Sequence, residues 1–187
     1  QKIQVKPDGL GIVTDGLPFV INPFDAIAVE EALRIREKST DAVEVLAVSV
    51  GTEACEQQLR TALAMGAAKA VLVSDDALKG SDSLTTAKVL AKAIGRAGDY
   101  DLVLAATESS DGYTGTVPEQ IAEVLGLPSV TFAKSITVDG SSIKVDRQTE
   151  AGYDEVTCPL PAVVSVTAGV VEPRYPSFKG IMAAKSK

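Results

Sequence analysis

From residue 22 onward the chain alternates two hydrophobic rhythms. Ile27, Ala28, Ala32, Leu33 and Ile35 recur near helical spacing, with Glu30, Glu31, Arg34 and Arg36 between them for the solvent side. Asn22-Pro23-Phe24-Asp25 opens this predicted helix, which runs to about Lys38. Residues 43–50, 69–74 and 101–106 are instead short, almost unbroken apolar runs and are predicted strands. Helices are predicted between and after them, at about 53–65, 83–94 and 117–125. Gly51 ends the first strand, Gly66 stops the helix that follows it, and Ser81 and Asp82 can cap the next one. Near-continuous apolar strands alternating with helices predict an α/β fold: a Rossmann-like parallel sheet with helices on both faces and right-handed crossovers.

After Pro128 the period becomes two. Residues 130–138 and 143–147 flank Asp139-Gly140-Ser141-Ser142, a hairpin signal, and 153–157 and 162–166 add two strand candidates. Together these predict a small antiparallel excursion near the C-terminus. Residues 3–5 and 12–14, around Pro7-Asp8-Gly9, predict a smaller hairpin at the start. An open α/β sheet usually begins with a central strand, whereas this sequence passes from the hairpin straight into a helix, so an opening strand is expected to be missing. No repeat or low-complexity linker interrupts 1–187, which reads as one nucleotide-binding α/β domain with 172–187 as a distinct segment.

Composition narrows the chemistry. An apolar fraction of 45% and a charged fraction of 23% suit a folded domain with a core of small and β-branched side chains, since aromatics are only 4%. No apolar run reaches the roughly 20 residues that span a bilayer, which argues against membrane insertion. A formal net charge of −7 argues against general affinity for nucleic acid. Histidine is absent, which excludes Ser-His-Asp and Cys-His pairs and any His-based metal site. Cys55 and Cys158 lack metal-ligand spacing and read as passive thiols in a reducing compartment.

The loop 108–118 follows a strand and enters a helix, so it belongs at the carboxyl edge of the sheet, where such folds bind ligands. Gly112 and Gly115 let backbone N–H groups approach a phosphate, and the helix start beyond Thr116 and Val117 adds a partial positive charge. The competing reading is a solvated strand-to-helix loop; a Walker A lysine is lacking. Asn22-Pro23-Phe24-Asp25 is either plain cap chemistry or a contact to a nucleotide over the same edge, and Val50 either a strand end or a backbone contact to that nucleotide.

Residues 172–187 read poorly as core. Pro173 and Pro176 forbid regular structure around them. Tyr175, Phe178, Ile181 and Met182 are then offered beside Arg174, Lys179, Lys185 and Lys187. Apolar anchors in a basic, Pro-braced segment suit docking on another protein.

Arg147-Gln148-Thr149-Glu150-Ala151-Gly152, then Leu160-Pro161-Ala162-Val163-Val164-Ser165-Val166, then Glu172-Pro173-Arg174-Tyr175-Pro176-Ser177 resemble, in order and spacing, the signature of the electron transfer flavoprotein β subunit. Residues 22–32 and 59–67 extend the resemblance over essentially the whole chain. The resemblance implies an adenine nucleotide α-hydrolase-like fold, an α-subunit partner, one FAD in the heterodimer held mainly by α, and a structural AMP in this subunit. It implies AMP contacts from Asn22, Pro23, Phe24, Asp25, Val50, Asp111, Gly112, Gly115, Thr116, Val117 and Gln120. It further implies that Pro176, Ser177, Phe178, Lys179, Ile181, Met182 and Lys185 form a recognition loop for acyl-CoA or other flavin dehydrogenases, Phe178 standing where many members have Leu. Electrons would pass on to a quinone-linked oxidoreductase, in bacterial cytoplasm or a mitochondrial matrix, with no catalytic residue in this chain. Against the family pattern, the first strand and a C-terminal arm are expected to be missing, as in a fragment. Gln148 and Val171 stand where some members have an acidic residue and an Asn. The alternatives are a stand-alone adenine-nucleotide-binding module of universal-stress type, and an electron-bifurcating family member with a second FAD in place of AMP.

Overall fold

The computed structural model describes residues 3–14 and 16–186. Its elements run in the expected alternation: α1 (Pro23–Lys38), β1 (Leu46–Val50), α2 (Glu56–Met65), β2 (Lys69–Val73), α3 (Ser83–Ala97), β3 (Leu102–Ala106) and α4 (Val117–Leu125). These are followed by β4 (Ser129–Asp139), β5 (Ser142–Thr149), β6 (Gly152–Pro159), β7 (Ala162–Val166) and α5 (Phe178–Ala184). β1 is shorter than its apolar run, because residues 43–45 lie ahead of the β1–β2 register that begins at Leu46 and Lys69. The first helix after β1 starts as a tight turn, Glu53–Cys55, before becoming α2. At the start of the chain the expected hairpin is reduced to one antiparallel bridge, Val5 to Ile12.

Strands pair as two sheets. β1 and β2 are parallel to each other, and a five-stranded sheet runs in the order β3-β7-β4-β5-β6. β4, β5 and β6 form the antiparallel excursion, with the β4–β5 turn at Asp139 and Ser142. β7 does not belong to that excursion. It returns to the middle of the sheet and lies parallel to both β3 and β4. Its five residues are all buried, which is why it reads as a continuous apolar run and not as an alternation. β4 serves two neighbours by changing register between Val130 and Ala133. Phe132 takes a left-handed φ of 54° at that bulge, and its N–H donates to the Oγ of buried Ser165 at 3.2 Å.

Each face of β7 feeds a different core. Val164 and Val166 join Ile27 and Ala28 of α1 and Ile136, Ile143 and Val145 of the hairpin. Val163 joins Ala87 and Ala91 of α3 and Ile121 and Ala122 of α4, where the alanines let helices approach the sheet closely. Each fully buried Val or Ile contributes on the order of 1.5–3 kcal/mol. A third cluster sets Ala184 of α5 against Leu63, Ala64 and Ala67 around α2.

Two expectations are corrected. Glu30 and Glu31 do not face water: they are 3% and 5% exposed. Glu30 is buried because Arg174 and Arg34 both pair with it. The terminal run is not a loop throughout either. Residues 172–177 have no regular structure, as their prolines require, but Ser177 then caps α5, its Oγ accepting from the Gly180 N–H at 3.0 Å. No helix among the described residues is long and apolar enough to cross a membrane.

Candidate functional site

β1 and β3 are not hydrogen-bonded to each other. Between them lies an open cleft of about 1580 Å³, running from Val45 and Asp101 at the amino ends of these strands to Val50 and Thr107 at their carboxyl ends. The candidate nucleotide residues gather at its carboxyl end, where strand ends and helix starts meet.

Asn22 and Asp25 enter from the first turn of α1. Asn22 is both cap and tie: its Oδ1 accepts from the Phe24 N–H at 3.4 Å, and its Nδ2 donates to the Glu108 carbonyl at 3.0 Å. It therefore joins the start of α1 to the loop after β3. Asp25 lines the cleft and is exposed to its solvent. Desolvation there raises its carboxyl, while the Asn22 side chain and the Ala106 backbone draw it down and the Asp111 charge raises it again. Solvent in the open cleft tempers the shift, whose direction is upward. Val50, Asp111, Gly115, Thr116 and Val117 line the same cleft.

The loop has the geometry of an anion cradle only at its far end. The Gly112 N–H is already bound to Ser109 Oγ at 3.1 Å, and the Tyr113 N–H to the Ser109 carbonyl at 3.2 Å. Tyr113 and Gly115 then take left-handed φ values of 50° and 60° and turn the chain into α4. No side chain caps α4; Pro118 has no N–H and the Gln120 N–H already donates to the Thr116 carbonyl at 3.1 Å, so the Val117 and Glu119 N–H groups are the first-turn donors left for another acceptor. In that turn Glu119 Oε2 and Gln120 Oε1 are buried without a hydrogen-bond partner, two orphaned polar atoms beside the cradle. Of the remaining expected contacts, Pro23 is the first residue of α1 and Phe24 packs on the core; neither of them, nor Gly112 or Gln120, lines the cleft.

These groups fit a nucleoside monophosphate in kind. Uncapped N–H groups suit a phosphate, and the Asp25 and Asp111 carboxylates suit hydroxyl and amine donors. No group of His, Cys, Asp or Glu side chains among the described residues is arranged to hold a metal ion. Cys158 is buried, and desolvation pushes its thiol up; Cys55 is half-buried.

The docking candidates sit elsewhere. Phe178 is 80% exposed, Met182 51% and Ile181 43%, all on α5, and Tyr175 precedes them fully in solvent. Lys179 and Lys185 are exposed at the two ends of the helix, and Pro176 is half-buried before it. Lys187 lies outside the described residues. Sequence reasoning missed what holds this helix. Arg174 binds Glu30 and Glu37 of α1, and Gly180 sits against the Ala64 carbonyl of α2. No short-range pattern signals either contact.

Residues 9–187 match the electron transfer flavoprotein domain family. The chain is 46% identical to the electron transfer flavoprotein subunit beta of Mycobacterium tuberculosis (strain ATCC 25618 / H37Rv) over 171 residues, covering 90% of this chain and 64% of that protein. It is 40% identical to the same subunit of Thermoanaerobacterium thermosaccharolyticum over 186 residues, covering all of this chain and 70% of that protein. The Homo sapiens subunit is 40% identical over 188 residues, with 73% of its length covered.

Proposed function

The chain belongs to the electron transfer flavoprotein β-subunit family, and from that premise we propose that it acts as the β half of an αβ electron carrier. The carrier accepts electrons from acyl-CoA or other flavin dehydrogenases and delivers them to a quinone-linked oxidoreductase. FAD, held mainly by the α subunit, supplies the redox chemistry when bound. This chain contributes three things: a scaffold, a structural AMP site in the cleft, and a docking helix.

The observation that carries this reading is α5. A soluble domain gains nothing by presenting Phe178, Ile181 and Met182 together, so a face this apolar is best explained by a partner that covers it. Lys179 and Lys185 flank it and suit steering toward an acidic rim. The nucleotide role is supported by the uncapped start of α4 and by Asn22 and Asp25 lining the same cleft. The chain spans 64% of the mycobacterial relative, so the partners and the electron path are proposals for the whole carrier.

The test is dehydrogenase-dependent flavin reduction by the co-purified heterodimer. Phe178→Ala is expected to raise KM for the dehydrogenase about tenfold or more, as loss of a central anchor does, and to leave flavin content intact. An unchanged KM would contradict the docking role.

A further inference from the structure

We propose that Arg174 and Gly180 are positioning residues that hold the apolar face of α5 in its docking orientation before any partner arrives; this rests on the docking role just given to Phe178 and its neighbours. A helix of seven residues is too short to persist alone in water. Something outside α5 must therefore fix it, and the structure supplies three pins along the segment.

The first pin is Arg174. Its Nε donates to Glu30 Oε2 at 2.7 Å and its Nη2 to Glu30 Oε1 at 3.0 Å. Nη1 donates to Glu37 Oε1 at 2.6 Å and Nη2 to Glu37 Oε2 at 3.1 Å. The Arg174 backbone N–H adds a fifth bond, to Glu30 Oε2 at 3.1 Å. One planar guanidinium thus grips two carboxylates on α1, a geometry that the point charge of lysine does not reproduce. The grip falls three residues before the Ser177 cap, so it sets where α5 begins.

The second pin is Gly180. A Cβ there would collide with the Ala64 carbonyl of α2, so α5 rests on α2 at a distance only glycine permits. Arg60 makes the third pin. Its Nη1 donates to the Ala184 carbonyl at 2.8 Å, and Glu56 holds the same guanidinium at 2.9 and 2.7 Å. Between the pins, Phe178, Ile181 and Met182 point outward at i, i+3 and i+4. A partner meeting this face does not have to order it, which is what preorganisation contributes to affinity.

The experiment uses the full heterodimer with its flavin. An acyl-CoA dehydrogenase reduced by its substrate is the electron donor, and reduction is followed for the wild type, Phe178→Ala, Arg174→Lys and Gly180→Ala. Amide hydrogen exchange over residues 178–184 is recorded on the free carrier. Arg174→Lys and Gly180→Ala are each expected to speed exchange in α5 and to raise KM about fivefold, the scale of ordering one or two side chains on binding. kcat and flavin content are expected to stay near wild type, a split that a general loss of stability would not give. If Phe178→Ala leaves KM unchanged, the docking role itself is wrong. If Phe178→Ala raises KM but Arg174→Lys and Gly180→Ala do not, the positioning role is overturned. Wild-type α5 exchanging as fast as an unstructured peptide overturns it without any variant.

Discussion

Arg174 ties the segment that leads into α5 to the first helix of the chain. Its partner Glu30 lies 144 positions away, and Glu30 is nearly inaccessible. Burial alone would raise the Glu30 carboxyl, but hydrogen bonds from the Arg174 side chain and backbone and from Arg34 outweigh it and hold the pKa at about 2, below the ordinary 4.5. Removing Arg174 leaves the buried Glu30 carboxylate to Arg34 alone, so Arg174→Ala is expected to lower the unfolding free energy by about 2 kcal/mol at neutral pH, read from urea titrations. A folded pKa below the unfolded one means the stabilisation is complete above the unfolded value and is lost as pH falls from about 4.5 through about 2. The gap between wild type and Arg174→Ala is therefore expected to close over that window, and a constant gap would show that Glu30 is not its source. None of this was legible in the sequence. Glu30 sits among charged residues at helical spacing and reads as solvent-facing. Periodicity registers polarity but not a partner contributed by a distant segment.

At the scale of elements the sequence was informative where apolar rhythm and punctuation agree. α1 and α3 fall where caps and spacing put them, α4 where its spacing alone does, and the turn at Asp139-Gly140-Ser141-Ser142 joins β4 to β5. β7 was visible as a strand but not as the central parallel one, since pairing order is a long-range property that an apolar run does not encode. α5 was hidden because two prolines dominate its approach, while its helical state comes from a Ser177 cap and from packing on α2. The candidate nucleotide loop was partly legible. Gly112 and Gly115 look equivalent in sequence, yet one binds Ser109 and the other makes the left-handed turn into α4. Gly115→Ala should strain that turn by about 1 kcal/mol, roughly fivefold in affinity. Nucleotide content after dialysis is expected to fall accordingly, and full retention would argue that the α4 start is not the phosphate site.

Over the whole molecule, the proposed function divides between two regions joined by α1. The amino end of α1 presents Asn22 and Asp25 to the cleft, and its later turns present Glu30 and Glu37 to Arg174 and so anchor the approach to α5. A chain of net charge −7 thereby offers an apolar helix flanked by Lys179 and Lys185 as a distinct local surface. Together these regions make the chain, as proposed, the nucleotide-holding, partner-docking half of a flavin carrier. Native mass spectrometry of the chain co-expressed with its α subunit tests it most directly. The expected species is an αβ heterodimer that retains one FAD and one AMP. A homodimer holding ATP, or a heterodimer with a second FAD in place of AMP, would contradict it.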